Sequence, residues 1–208
     1  KEYDPEIVEK RLNLLLLERQ DDPHALTMMG VLYRRIDRER ALSFHRRAVQ
    51  VEPRLAGAYA GMGEIYEEQG RPALSLEMYE KALALSKWNR NYLGNVIDHY
   101  QQRGDRQKDA ALARADYLQV TERGDLLLRL DPTLLSTYII VVQAHLRLGD
   151  LAQASKVQEQ MLRYSVRPEV WELKQNQGGW FWNTGARLIT LPSKPLKLAY
   201  LRYQAAIT

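Results

Sequence analysis

Histidines, carboxylates and glycine loops are the residues here whose types could do chemistry, and their spacing decides whether they can. The four histidines are His24, His45, His99 and His145. None has a second histidine at the spacing that aims two imidazoles at one metal ion, and no acid–base pair is recognisable around them. His99 directly follows Asp98 on the same helical segment, and His45 and His145 fall at packing positions. Neither a Gly-x4-Gly-Lys phosphate loop nor a Gly-x-Ser-x-Gly nucleophile turn is present. With no cysteine there is no thiolate nucleophile, cysteine-ligated zinc or disulfide framework. The residues therefore predict no enzyme, no metal site and no cofactor in this segment, and any catalysis would belong to a neighbouring domain of a larger enzyme that this segment regulates.

What remains for the chain to do is bind, and composition bounds what it binds. The 208 residues are 45% hydrophobic and 27% charged, an ordinary balance for a chain with a sizeable core. The formal net charge of +4 is modest beside that of dedicated nucleic-acid binders, and it is concentrated at one end. From Leu151 onward eight basic residues face only Glu159, Glu169 and Glu172. The longest apolar runs, such as Tyr138 to Val142, fall far short of the roughly 20 residues that span a bilayer. No membrane span is expected. The first residue is Lys1, so a signal, an anchor or whole domains are expected upstream as alternatives, and cytoplasm and periplasm both stay open.

The elements that would position a binding surface show themselves as repeats. Residues 56 to 89 read Tyr59-x2-Met62-Gly63-x2-Tyr66, followed by Gly70, Ser75, Tyr79 and Ala82. The preceding stretch reads Leu26-x2-Met29-Gly30-x2-Tyr33, then Ala41-x3-His45-x2-Ala48, closed by Pro53. A third unit begins Leu93-x2-Val96-Ile97-x2-Tyr100 with Gly104-Asp105 at the expected turn. A fourth reads Tyr138-x2-Val141-Val142-x2-His145, then Gly149-Asp150 and Ala154. Two short antiparallel helices cannot bury their apolar stripes alone, so small residues mark close crossings, large ones fill the gaps, and stacking makes the core.

This pattern resembles the tetratricopeptide repeat, large-x2-Leu-Gly-x2-Tyr followed by small-x3-aromatic-x2-Ala, over most of the chain. The resemblance implies an all-α fold, a right-handed α-solenoid of tetratricopeptide-type helical hairpins, ending here in a divergent C-terminal cap. The expected layout is a solenoid over 1–168, with an N-terminal helix in 1–22, repeats at about 23–55, 56–89, 90–134 and 135–168, and a capping segment over 169–208. Residues 4 to 20, with Leu12, Leu15 and Leu16 at helical spacing, read as the second helix of an incomplete repeat or as an N-terminal cap.

One unit breaks the period. Gly63 to Ile97 spans 34 residues, but Ile97 to Val142 spans 45, an excess of eleven that the turn glycines 70, 104 and 149 place after Gly104. Eleven residues make close to three helical turns. The expectation is a second helix from about Arg106 to Arg129, or two helices broken at Gly124-Asp125, serving as a docking element or as a neutral extension.

In the tetratricopeptide family the first helix of each hairpin lines a concave groove. By repeat position the resemblance puts Met28, Val31 and Arg34 there, then Gly57, Ala60, Gly61, Glu64, Glu67 and Glu68, then Asn91, Asn95, Asp98, Gln101 and Gln102, with His24, Thr27, Arg35 and Gly94 beside them. The clamp by which some members hold a chaperone's terminal carboxylate would fall on Thr27, Val31, Gly61, Asn91 and Asn95, which lack its lysines and arginine. What is expected instead is a floor of small residues edged by Glu64, Glu67, Glu68 and Asp98, suited to a basic or amphipathic helical segment of another protein, or to self-association. The alternative for these acids is a solvated face.

After Pro168 the repeat fades. Gly178 to Gly185 holds Trp180, Phe181 and Trp182, and Arg187, Lys194, Lys197 and Arg202 follow with no acid after Asn183. A cap over the last hairpin, a basic arm reaching an acidic surface and contact with anionic lipid are the three readings. The functional expectation is a scaffold or adaptor within a multi-protein complex, such as bacterial envelope, secretion or polysaccharide-export machinery. A helical-repeat nucleic-acid module is the alternative, but the acids of the second repeat oppose it.

Overall fold

Aspartates start several of the helices. Asp22 accepts from the Ala25 amide at 2.9 Å, with Pro23 set at the first helical position, and Asp37 accepts from Arg40 at 3.0 Å. Asp109 takes two amides, of Ala111 and Leu112, at 2.8 and 3.1 Å. Each such cap stabilises its helix by about 1 kcal/mol. Gly70 and Gly149 end helices in the left-handed region, at φ +68° and +78°, as their spacing predicts.

The computed structural model describes residues 4–165. Its elements are α1 (Pro5–Glu18), α2 (Pro23–Tyr33), α3 (Arg38–Val51), α4 (Ala56–Glu68), α5 (Pro72–Leu85), α6 (Arg90–Arg106), α7 (Ala110–Leu130), α8 (Leu135–Leu148) and α9 (Leu151–Ser165). Among the described residues there is no strand, and no helix is long and apolar enough to cross a membrane. The fold is all-α and is built of the helical hairpins of a tetratricopeptide-type solenoid. The expectations placed on 169–208, including the Trp180–Trp182 cluster and the basic arm, lie outside the described residues.

The chain divides into two compact units, Lys1–Val96 and Ile97–Thr208, with the boundary inside α6. In the first unit α2 packs on α3 and α4 on α5, and α4 touches both α2 and α3. Its core joins Leu12, Leu26, Met29, Leu42, Met62 and Ile65. Fully burying one such side chain contributes about 2 kcal/mol. α1 lays Leu12 and Leu16 against α2, and the Tyr33 hydroxyl donates to Glu9 at 2.5 Å. In the second hairpin Gly63 faces the Tyr79 ring, where an added Cβ would lie 3.1 Å from ring carbons. Ser75 Oγ donates to the Gly63 carbonyl at 2.9 Å, and the Tyr79 hydroxyl donates to Glu67 at 3.2 Å.

The second unit packs α7 on α8 and α8 on α9 around Leu128, Tyr138, Val141, Val142, Val157 and Met161. Tyr138 and Tyr164 stack at 6.1 Å, and burial pushes the Tyr138 hydroxyl up to about 12. Here the structure corrects the reading of the irregular unit. Gly104 is not at the turn but inside α6, buried against Tyr117 and Asp116. α6 is 17 residues long, four more than α4, and α7 is 21, seven more than α5, so both helices share the eleven-residue excess. α7 also runs unbroken through Gly124, where a Cβ would collide with Val141, so the missing side chain lets α8 approach. Arg103 grips buried Asp116 through two nitrogens at 2.9 and 2.6 Å, and the Tyr117 hydroxyl donates to Asp105 at 2.7 Å.

Candidate functional site

The first unit carries most of the residues that repeat position assigned to a groove, and it sorts them into three kinds. Met28 and Val31, one turn apart on α2, are 49% and 59% exposed, large apolar side chains left facing solvent. Arg34, one turn further, is a hub. It pairs with Glu64 and stands 3.4 Å from Glu68 on α4, while Arg38 reaches the same Glu68 at 3.2 Å. Glu67 accepts the Tyr79 hydroxyl, whose pKa is raised by burial first and by Glu67 second.

The third kind is the expected small-residue floor, and the structure revises it. Gly57 is half-buried beside Thr27, and Thr27 Oγ1 is turned to the Pro23 carbonyl at 2.8 Å. Ala60 and Gly61 are buried, and any Cβ on Gly61 would clash with the His45 ring at 2.4 Å. They admit a neighbouring helix of the same chain, so they are not open to a ligand backbone. Gly94 does face open space, and Asn91 and Asn95 stand exposed and half-buried on the same helix.

The acids are likewise less available than a count of charges implies. Glu64 and Glu68 are committed to Arg34 and Arg38, so this edge is internally neutralised. Asp98, Gln101 and Gln102 fall in the second unit, where the Gln101 amide donates to Gln143 at 3.1 Å. Sequence reasoning missed the pairing because register does not give it: the position equivalent to Arg34 in the second hairpin is Glu67, 33 residues on as Gly63 is from Gly30, whereas Arg34 reaches Glu64 and Glu68 on either side of it.

The histidines are packing or surface groups. His24 is exposed, 4.0 Å from Glu52. His45 and His145 are buried with no hydrogen-bond partner on either ring nitrogen. His45 is held down to about 4, by burial first and by the Arg34 charge second. Among the described residues no group of three or more histidines and carboxylates could hold a metal ion. Among the described residues the arrangement offers surfaces and ion pairs.

Comparison with known proteins agrees with this architecture. The tetratricopeptide repeat family profile matches residues 56–87. No curated protein is similar enough in sequence to count as a relative. Among solved structures, MamA (residues 41 to the end) from Desulfovibrio magneticus is 18% identical with a TM-score of 0.56, covering 83% of this chain and 88% of its own. PilF from Pseudomonas aeruginosa is 18% identical with a TM-score of 0.57, covering 83% of this chain and 75% of its own. At these identities the likeness is one of fold. Residues 56–87 thus match one tetratricopeptide repeat, and the described residues on either side of it form further helical hairpins.

Proposed function

We propose that this chain is a non-catalytic scaffold or adaptor that holds a segment of another protein on the first-helix face of its hairpins, within a multi-protein assembly. Stacked hairpins create extended surfaces of this kind. The observation that carries the proposal is the exposure of Met28 and Val31 beside the Arg34–Glu64–Glu68 cluster. An amphipathic helical segment suits it, with apolar side chains on Met28 and Val31 supplying affinity and its basic residues competing with Arg34 for Glu64. Bacterial envelope, secretion or polysaccharide-export complexes are the proposed setting, and cytoplasm and periplasm both suit it.

Crosslinking with mass spectrometry on a pull-down identifies the partner and the contact. Val31→Asp is expected to cut capture of that partner at least about tenfold, the scale of losing one buried apolar anchor. Glu64→Lys is expected to weaken it less. Unchanged capture with both variants sinks the proposed surface.

A further inference from the structure

Helix pairs in this chain cross on a glycine covered by a ring. In the second hairpin the ring is Tyr79 over Gly63, and in the third it is Tyr117 over Gly104. Both tyrosines solve the same polar problem. The ring is buried and the hydroxyl reaches a carboxylate, Glu67 in one case and Asp105 in the other. In the first hairpin the equivalent position holds His45, and its polar atoms have no such exit.

His45 is fully buried and touches two glycines at once. A Cβ on Gly30 of α2 would lie 2.5 Å from its ring, and one on Gly61 of α4 would lie 2.4 Å from it. Neither Nδ1 nor Nε2 has a hydrogen-bond partner. The charged group that acts on it from α2 is Arg34, and α4 contributes Glu64 and Glu68, both held by Arg34. On its own helix Arg46 turns to the Tyr66 hydroxyl, Arg47 to Asp21, and Arg40 lies over the Tyr33 ring. No carboxylate faces the imidazole to stabilise a positive charge. A buried cation with no partner is strongly disfavoured.

We propose that His45 is an acid-sensitive latch: neutral, it seals α2 and α3 of the first hairpin onto α4 of the second, and protonation opens that seam. The direction follows from linkage. The imidazole is held down to about 4 in the folded chain against its ordinary 6.5, so the stability it supports is complete above 6.5 and is lost as pH falls toward 4. Opening would separate Arg34 from Glu64 and Glu68, so the surface around Met28 would come apart with the seam.

The test is urea unfolding of the whole chain at pH 7, 6 and 5, comparing the protein with His45→Phe and His45→Gln. The expected loss of folding constant from pH 7 to pH 5, beyond that of His45→Phe, is on the order of 20-fold. Because all other titrating groups are shared, the difference isolates this ring. A ring-proton titration of the unsubstituted protein by NMR needs no variant, and His45 should stay neutral while the first hairpin remains folded. Equal pH slopes in protein and variants, or a His45 ring titrating near 6.5 in the folded chain, would overturn the proposal.

Discussion

The second and third hairpins close the same kind of crossing with different lengths of helix. In the second, Gly63 meets Tyr79 and the tyrosine hydroxyl ends on Glu67, one helical turn beyond the glycine. In the third, Gly104 meets Tyr117 and the hydroxyl ends on the adjacent Asp105. By the 34-residue period the partner of Gly63 is Ile97, so the glycine crossing has moved seven residues, two turns, along α6. A displacement of seven residues returns a helix to nearly the same face. The crossing therefore keeps its chemistry while its position slides, and Arg103 with buried Asp116 appears only in the longer pair. An insertion that respects helical phase is absorbed by the packing without a loop.

The largest effect that would test this equivalence is at the rings. Tyr79→Ala and Tyr117→Ala should each cost about 4 kcal/mol in urea unfolding, the scale for removing a buried aromatic ring. If Tyr117→Ala cost under about 1 kcal/mol, the third crossing would not be the counterpart of the second.

Next comes the ion pair that distinguishes the longer hairpin. Arg103→Ala leaves Asp116 buried without its fork, and because the arginine is itself half-exposed the expected loss is about 2 kcal/mol, not the larger figure for a sealed pair. Urea unfolding of the variant beside the unsubstituted protein reads that loss directly.

The smallest effects separate glycines that look alike in sequence. Gly124→Ala forces a Cβ onto Val141 and should destabilise by about 1–3 kcal/mol. Gly94→Ala meets open space and should stabilise by about 0.5–1 kcal/mol through helix propensity. Calorimetry of the two variants side by side gives opposite signs if Gly124 is a contact and Gly94 is not.

Much of this was legible in the residues. The Gly and Tyr markers, the turns at Gly70 and Gly149 and the size of the irregularity could all be read, because helical phase and left-handed backbone each demand particular residues. The surroundings of the proposed groove residues were not legible: Met28 and Val31 stand exposed, but Gly61 is packed under His45 and Glu64 is bound to Arg34.

The amino-acid order by itself determined that this chain makes stacked helical hairpins and that the third carries eleven extra residues, since both are properties of periodicity along one chain. Only tertiary structure decided which glycines are turns and which are crossings. The residue is identical in both settings, and what differs is whether a ring such as His45, Tyr79 or Tyr117 from another helix comes to cover it. The same holds for charge: whether Glu64 is free to bind depends on the reach of Arg34 across two helices, a distance that no spacing along the chain contains.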